Sequence, residues 1–267
     1  MPQIFKEFKN IKALGIDLDG VVYSGNLLMP HAKESIDKFR SLGKSIYFIT
    51  NNSGKSRLEI ANKLNSLGVS ASEEEVYNSG YAAAIFLKEL DRKAEVFIIG
   101  SDELKNEFAK LCITILDRPT GKYLVVGFDR YFTYEKIFQG FNMIQQGAKF
   151  IACNRDKSFP IEEGKSMPAC NAMVAAIEST TGKKPDYVVG KPETFMLELI
   201  AEKNNYLPQE ILIIGDSLEA DIVMANRFGS PSILIAENVF KKALHKSEKP
   251  SFIAKSMDQI VSLLASS

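Results

Sequence analysis

Two carboxylates separated by one residue, Asp17-Leu18-Asp19, end the apolar run Lys12-Ala-Leu-Gly-Ile16 and are followed at once by Gly20. Side chains alternate along an extended strand, so a regular strand points both acids the same way. A glycine directly after them permits a sharp turn and close backbone approach to a ligand. Two like charges this close require a cation, a proton or water between them. A hard divalent ion such as magnesium, which prefers oxygen ligands, suits the pair. Taken alone, Asp-x-Asp-Gly is also an ordinary exit from a strand into a turn. Its meaning depends on what else the chain places at strand ends.

Three further apolar runs end in polar groups. Ser45-Ile-Tyr-Phe-Ile49 runs into Thr50-Asn51-Asn52-Ser53-Gly54, and Tyr187-Val-Val189 runs into Gly190-Lys191-Pro192. Ile211-Leu-Ile-Ile214 runs into Gly215-Asp216-Ser217, with Asp221 five residues after Asp216. Each has a plain structural reading: Thr50 as a helix cap, Lys191 as a solvated lysine, Asp216 as an acid at a helix N-terminus. Together they supply acids for a metal, and a hydroxyl and an ammonium for a phosphate. Open α/β sheets bind ligands at the carboxyl ends of their strands, where all four sets fall.

The elements needed to position them are legible. Strand and helix patterns alternate along the chain, which predicts an α/β fold with a largely parallel, Rossmann-like sheet. Helical periodicity covers 31–42, 55–67, 81–90, 103–111, 134–146, 171–182, 193–205 and 219–228. The candidate acids, Thr50 and Lys191 fall in 1–79 and 186–267, which predicts a catalytic core made of these two segments. The intervening 80–185 has strands of its own around 96–99, 123–126 and 150–153 but no matching acid set, and reads as an inserted α/β domain. Asn78-Ser-Gly80 and 181–186 are the expected hinges. The run Glu73-Glu-Glu75 reads as a solvated helix start.

At 267 residues the chain exceeds the usual single-domain size of about 100–150 residues, in keeping with two domains. With 33 acidic and 33 basic residues it has no net charge, which speaks against a nucleic-acid or anionic-membrane surface. Its three cysteines, Cys112, Cys153 and Cys170, are odd in number and sit in or near apolar runs, so buried reduced thiols are expected. The two histidines, His31 and His245, lack ligand spacing for zinc. The first ten residues lack the apolar stretch of a signal peptide, and no run approaches the ~20 apolar residues of a membrane helix. These features predict a cytoplasmic protein, a monomer or homodimer.

The ordered set Asp17-Leu-Asp-Gly-Val-Val-Tyr23, Ile49-Thr-Asn-Asn-Ser53, Val189-Gly-Lys-Pro192 and Gly215-Asp-Ser-x-x-x-Asp221 resembles the haloacid dehalogenase (HAD) superfamily of phosphatases. The likeness is nearer to its NagD-like, p-nitrophenyl phosphatase and phosphoglycolate phosphatase branch, subfamily IIA. Phe150-Ile-Ala-Cys-Asn-Arg-Asp156 and Pro168-Ala-Cys170 fit that branch's middle section, and the resemblance runs from about Leu14 to about Ile235. One departure is Asn171, where the branch usually has glycine. The resemblance implies a HAD core with an inserted C2-type α/β cap and a magnesium-dependent phosphomonoesterase. It implies Asp17 as nucleophile and metal ligand. Asp19 becomes a ligand through its main-chain carbonyl and, through its side chain, the general acid and base; Asp216 becomes the further metal ligand. Asp221 is a candidate for a supporting place behind the metal. Thr50 and Lys191, with Asn51 and Asn52 beside them, would hold phosphate.

Because phosphate and metal consume the core's polar groups, discrimination among leaving groups falls to the inserted domain. Asn154, Arg155 and Asp156, just after an apolar strand, are the loop expected to reach the core. The expected partner is a small phosphomonoester such as a sugar phosphate, a nucleotide monophosphate, phosphoglycolate or p-nitrophenyl phosphate. The alternative is a non-catalytic or phosphoaccepting, receiver-like protein using the same acids. Receiver domains, however, need only roughly 120 residues and usually carry the phosphorylated aspartate apart from the acid pair.

Overall fold

The computed structural model describes residues 8–161, 165–236 and 245–265. Residues 1–7, 237–244 and 266–267 of the two core segments, and 162–164 of the intervening segment, lie outside it. The strands are β1 (Ala13–Ile16), β2 (Tyr23–Ser24), β3 (Leu27–Leu28), β4 (Ser45–Thr50), β5 (Val76–Asn78), β6 (Glu95–Ile99), β7 (Thr114–Ile115) and β8 (Tyr123–Val126). They continue with β9 (Lys149–Ala152), β10 (Ser158–Pro160), β11 (Ser166–Pro168), β12 (Tyr187–Val188), β13 (Ile211–Gly215), β14 (Ser232–Ile235) and β15 (Phe252–Ala254). The helices are α1 (Ala32–Ser41), α2 (Arg57–Ser66), α3 (Ser79–Leu90), α4 (Asp102–Lys110), α5 (Tyr134–Gln145), α6 (Cys170–Thr181), α7 (Phe195–Asn204), α8 (Val223–Phe228) and α9 (Met257–Ala265).

Six strands in the order β15-β14-β13-β1-β4-β5 form the first sheet, and every pair is parallel. Its strands are near-continuous apolar runs because both faces are covered, as parallel sheets require. Alternation sends Leu14, Ile16, Phe48, Leu212 and Ile214 to one buried layer, and Ala13, Tyr47, Ile49, Ile211 and Ile213 to the other. A second parallel sheet, β12-β9-β8-β6-β7, is built from the intervening segment together with β12, just beyond it. It is not an isolated body. The apolar layer holding Tyr47, Ile49 and Ile213 also holds Val96, Leu124, Phe150 and Val174 of the second sheet and its helices.

Three sequence expectations are corrected here. The run at 187–189, read as a strand of the core, pairs Tyr187 with Ile151 and Val188 with Ala152, in the second sheet. With only two paired residues, periodicity gave no clue to which sheet it joins. Asn78-Ser-Gly80, the expected hinge, is where β5 passes into α3, and there fully buried Asn78 accepts the Tyr81 N–H at 2.8 Å and donates to the Lys55 carbonyl at 2.7 Å. Cys112 is exposed, whereas Cys153 and Cys170 are buried as expected. The acidic run 73–75 is also busier than a solvated turn: Glu73 pairs with Arg57 and Lys110, and Glu75 with Arg40. Among the described residues no helix is long and apolar enough to cross a membrane.

Candidate active site

β1 lies between β13 and β4, so the ends of three strands meet. Ile16 pairs with Ile214 and Phe48, and the Asp17 N–H extends the ladder to the Ile214 carbonyl at 2.9 Å. After Asp19 the chain turns sharply, with the Val22 and Tyr23 N–H groups both donating to the Leu18 carbonyl. Gly20 makes this possible with a φ of +89°, a region that side chains disfavour. It also leaves space: a Cβ at Gly20 would lie 2.0 Å from Asp216 Oδ2. Glycine at this position therefore lets the β13 loop close against the β1 loop.

Asp216 begins the turn that follows β13. Ser217 caps the turn with its hydroxyl on the Ala220 N–H, and its carbonyl accepts from both Asp221 at 3.0 Å and Ile222 at 3.2 Å. The second of these bonds spans five residues, a π-type turn over Leu218–Ile222. Such single wide turns recur at functional sites. Across this turn the Asp221 carboxylate lies within 4.8 Å of those of Asp216 and Asp17. Asp221 is buried, with Oδ1 accepting from Lys191 and Oδ2 from the Ser217 N–H at 3.2 Å.

Lys191 enters from the end of β12, in the second sheet. Its ammonium is 2.5 Å from Asp17 Oδ1, 2.8 Å from Asp221 Oδ1 and 3.3 Å from the Ile49 carbonyl. Burial works against this charge, but the Asp17 and Asp221 carboxylates outweigh it and hold the ammonium's pKa above its ordinary value. Burial, reinforced by Asp221 and Asp216 and opposed by Lys191, pushes the Asp17 carboxyl up. Burial and the Asp221 charge raise Asp216 to about 6. Asp19 is also raised by burial, against the pull of Lys63, Lys191 and Lys55.

The cluster thus carries more negative charge than one ammonium offsets, and a divalent cation fits it. Oxygens of Asp17, Asp216 and Asp221 lie within 4.8 Å of one another. Both Asp221 oxygens are already bonded, so its part is to hold Lys191 and the turn. Asp17 and Asp216 remain the side chains suited to ligate an ion.

Thr50 is buried at the end of β4, and its hydroxyl oxygen accepts the Asn52 N–H at 3.1 Å, which leaves the hydroxyl proton to donate. The two asparagines differ. Asn52 closes a turn by accepting from the Gly54 and Lys55 N–H groups. Asn51 donates to Asp156 Oδ1 at 2.9 Å and to the Lys191 carbonyl at 3.0 Å, and its own Oδ1 is buried with no hydrogen-bond partner among the described residues.

The loop after β9 does reach the first sheet, through two of its three residues. Buried Asn154 donates to the Asn51 carbonyl at 2.6 Å and to the Ser79 hydroxyl at 3.1 Å, while Asp156 meets Asn51. Arg155 turns the other way, to Glu178 at 2.6 Å and Asn171 Oδ1 at 3.1 Å. Asn171, the residue that departs from the family pattern, thus holds Arg155 inside the second unit. Sequence reasoning passed over Tyr23 and Lys63. The Lys63 ammonium sits 3.5 Å above the Tyr23 ring, and both residues act electrostatically on or with Asp19. The Asp19–Tyr23 turn was the available signal, since it carries the ring back beside the acid pair.

Residues 14–114 match the family model of haloacid dehalogenase-like hydrolases, and residues 188–260 match a second, HAD-hydrolase-like model. Over 249 residues the chain is 32% identical to the sugar-phosphatase AraL of Bacillus subtilis, across 93% of this chain and 91% of the relative. The chain belongs to the haloacid dehalogenase superfamily. Its fold is similar to that of a p-nitrophenyl phosphatase from Archaeoglobus fulgidus, with a TM-score of 0.85 and 28% identity over 95% of this chain and 99% of that one. A glycerol phosphate phosphatase from Mycobacterium tuberculosis, solved in complex with magnesium, gives a TM-score of 0.86 and 28% identity over 97% of this chain and 78% of that one. These likenesses place this HAD phosphatase in the NagD-like subfamily IIA, and its activity is that of a phosphoric monoester hydrolase.

Proposed function

We propose that this chain is a magnesium-dependent phosphomonoesterase for small phosphorylated metabolites, working through a phosphoryl group carried transiently on Asp17. The observation that carries the reading is the meeting of Asp17, Asp216 and Asp221 around one buried lysine at the carboxyl edge of the first sheet. Asp17, Asp216 and the Asp19 main-chain carbonyl would hold the ion, which when bound offsets phosphate's charge and acts as a Lewis acid. A carboxylate oxygen of Asp17 attacks phosphorus, forming a new O–P bond as the bond to the leaving oxygen breaks. Asp19 gives its proton to that oxygen, a role that suits a carboxyl raised by burial. Asp19 then takes a proton from the water that attacks phosphorus, and the Asp17–phosphorus bond breaks to release phosphate. Thr50 and Lys191 donate to the non-bridging oxygens, where negative charge concentrates.

The candidate substrates are sugar and glycerol phosphates, phosphoglycolate and nucleotide monophosphates, because relatives named for each align along most of their length. The inserted unit, 80–185 together with β12, serves as the cap that reads the leaving group. The test is phosphate release from p-nitrophenyl phosphate with and without magnesium, followed by a panel of phosphorylated metabolites. Turnover that is unchanged after metal chelation overturns the metal assignment.

A further inference from the structure

The loop that leaves β4 with Thr50 is held along its length by the carboxyl ends of the second sheet, in the order of that sheet's strands. Beyond β12, the Lys191 carbonyl accepts from Asn51; beyond β9, Asn154 donates to the Asn51 carbonyl. Beyond β8, the Phe128 N–H donates to the Ser53 hydroxyl at 2.9 Å; beyond β6, the Ser101 hydroxyl donates to the Gly54 carbonyl at 3.1 Å. The sheet order β12-β9-β8-β6 therefore maps onto successive loop residues 51, 53 and 54. Close approach is built in: a Cβ at Gly190 would lie 2.4 Å from Asn51 Oδ1 and 2.7 Å from the Cys153 carbonyl. Ser53 is 1% exposed, and its side chain has no route to substrate.

We propose that Ser53 and Ser101 are positioning residues for phosphate: through them the second sheet fixes the loop that aims Thr50. The inference rests on the reading of Thr50 as a phosphate-holding residue.

Ser53→Ala leaves the half-buried Phe128 N–H without its Ser53 acceptor. Ser101→Asp keeps the helix cap on the Leu104 N–H but cannot donate to Gly54. In both variants KM for p-nitrophenyl phosphate and the inhibition constant of inorganic phosphate are expected to rise together by roughly tenfold. kcat and the half-saturating magnesium concentration are expected to stay within about twofold, because binding common to ground and transition states is what is lost. A merely structural role would instead lower the active fraction and melting temperature and leave KM and phosphate inhibition unmoved, and that result overturns the proposal. If Ser53→Ala does not fold, Ser101→Asp decides alone. Thr50→Val is measured alongside. If it weakens phosphate inhibition while the serine variants do not, positioning fails and the Thr50 reading stands. If it changes nothing, the premise fails and the proposal with it.

Discussion

The molecule contains two parallel α/β sheets whose carboxyl edges face the same loop, and the two edges carry different chemistry. The first ends in carboxylates: Asp17 and Asp19 after β1, Asp216 and Asp221 after β13. The second ends in amides, hydroxyls and backbone groups that hold Asn51, Ser53 and Gly54, and it contributes one charge to the reaction centre, Lys191. Shared topology thus does not fix use. One edge concentrates like charge that needs a cation, and the other spends its polar groups, the Asp156 carboxyl included, on hydrogen bonds to the loop after β4. Lys191 joins them, carrying a cation from the second sheet into the acids of the first.

The largest effect expected from breaking this division is at the nucleophile. Asp17→Asn should fold, since Lys191 keeps Asp221 as a partner, yet kcat should fall by at least ~10⁴, the scale seen when covalent machinery is removed. Steady-state turnover of p-nitrophenyl phosphate checks it, and near-normal activity would end the covalent mechanism. Lys191→Met tests the junction. Removing the cation leaves Asp17 and Asp221 buried without their counter-charge, and breaking a buried pair in this way costs about 3–5 kcal/mol. Urea unfolding of the metal-free protein reads that loss, and added magnesium should restore part of it.

A substitution on the second edge should act on stability and binding more than on chemistry. Asn154→Ala strips a donor from the Asn51 carbonyl and from Ser79, with an expected loss of about 1–3 kcal/mol in unfolding free energy. A fall in kcat as large as that of Asp17→Asn would erase the distinction between the edges. Next comes a pH effect. Asp216 is raised from 3.8 to about 6, so between these values the folded metal-free protein binds more protons than the unfolded chain. Its stability should therefore fall as pH rises from about 4 to about 6. Asp216→Asn should flatten that slope by about 1 kcal/mol, a figure reduced for the exposure of this side chain to solvent. Thermal melts across the window, with and without the substitution, measure it. The smallest effect is expected at Arg155, which points to Glu178 and Asn171 and away from the first sheet. Arg155→Ala should change relative kcat/KM among phosphoesters by less than about threefold, and Asp156→Ala, which loses the contact with Asn51, by more.

Much of this was legible in the chain because the strands are buried on both faces and end abruptly in polar residues. β1, β4, β6, β8, β9 and β13 stand out as apolar runs within a residue of their observed bounds. Asp17, Thr50, Lys191 and Asp216 were readable because each follows such a run. What was not legible depends on pairing and rotation. β12 is two residues long, and nothing in Tyr-Val states which sheet it joins. The place of Asp221 relative to Asp216 was not legible because periodicity over 219–228 implies a regular helix where the chain makes a π turn. The three residues 154–156 were read as one loop with one role, yet the backbone turns Arg155 away from its neighbours. β5, β14 and β15 escaped notice because short strands next to proline or acidic turns show little periodicity.

The central place of β1 also bears on how the chain is made. Its neighbour β4 follows closely in sequence, but β13 does not exist until the ribosome has reached Ile211. At ordinary elongation rates that interval is roughly 10–40 s. Throughout it, an apolar strand with an unpaired edge is present on the nascent chain, and for most of it the acid pair lacks Lys191, which is made only 20 residues before β13 begins. Unpaired edges of this kind recruit other strands, so the protein's exposure to misassembly extends over most of its synthesis and ends only when β13 inserts beside β1.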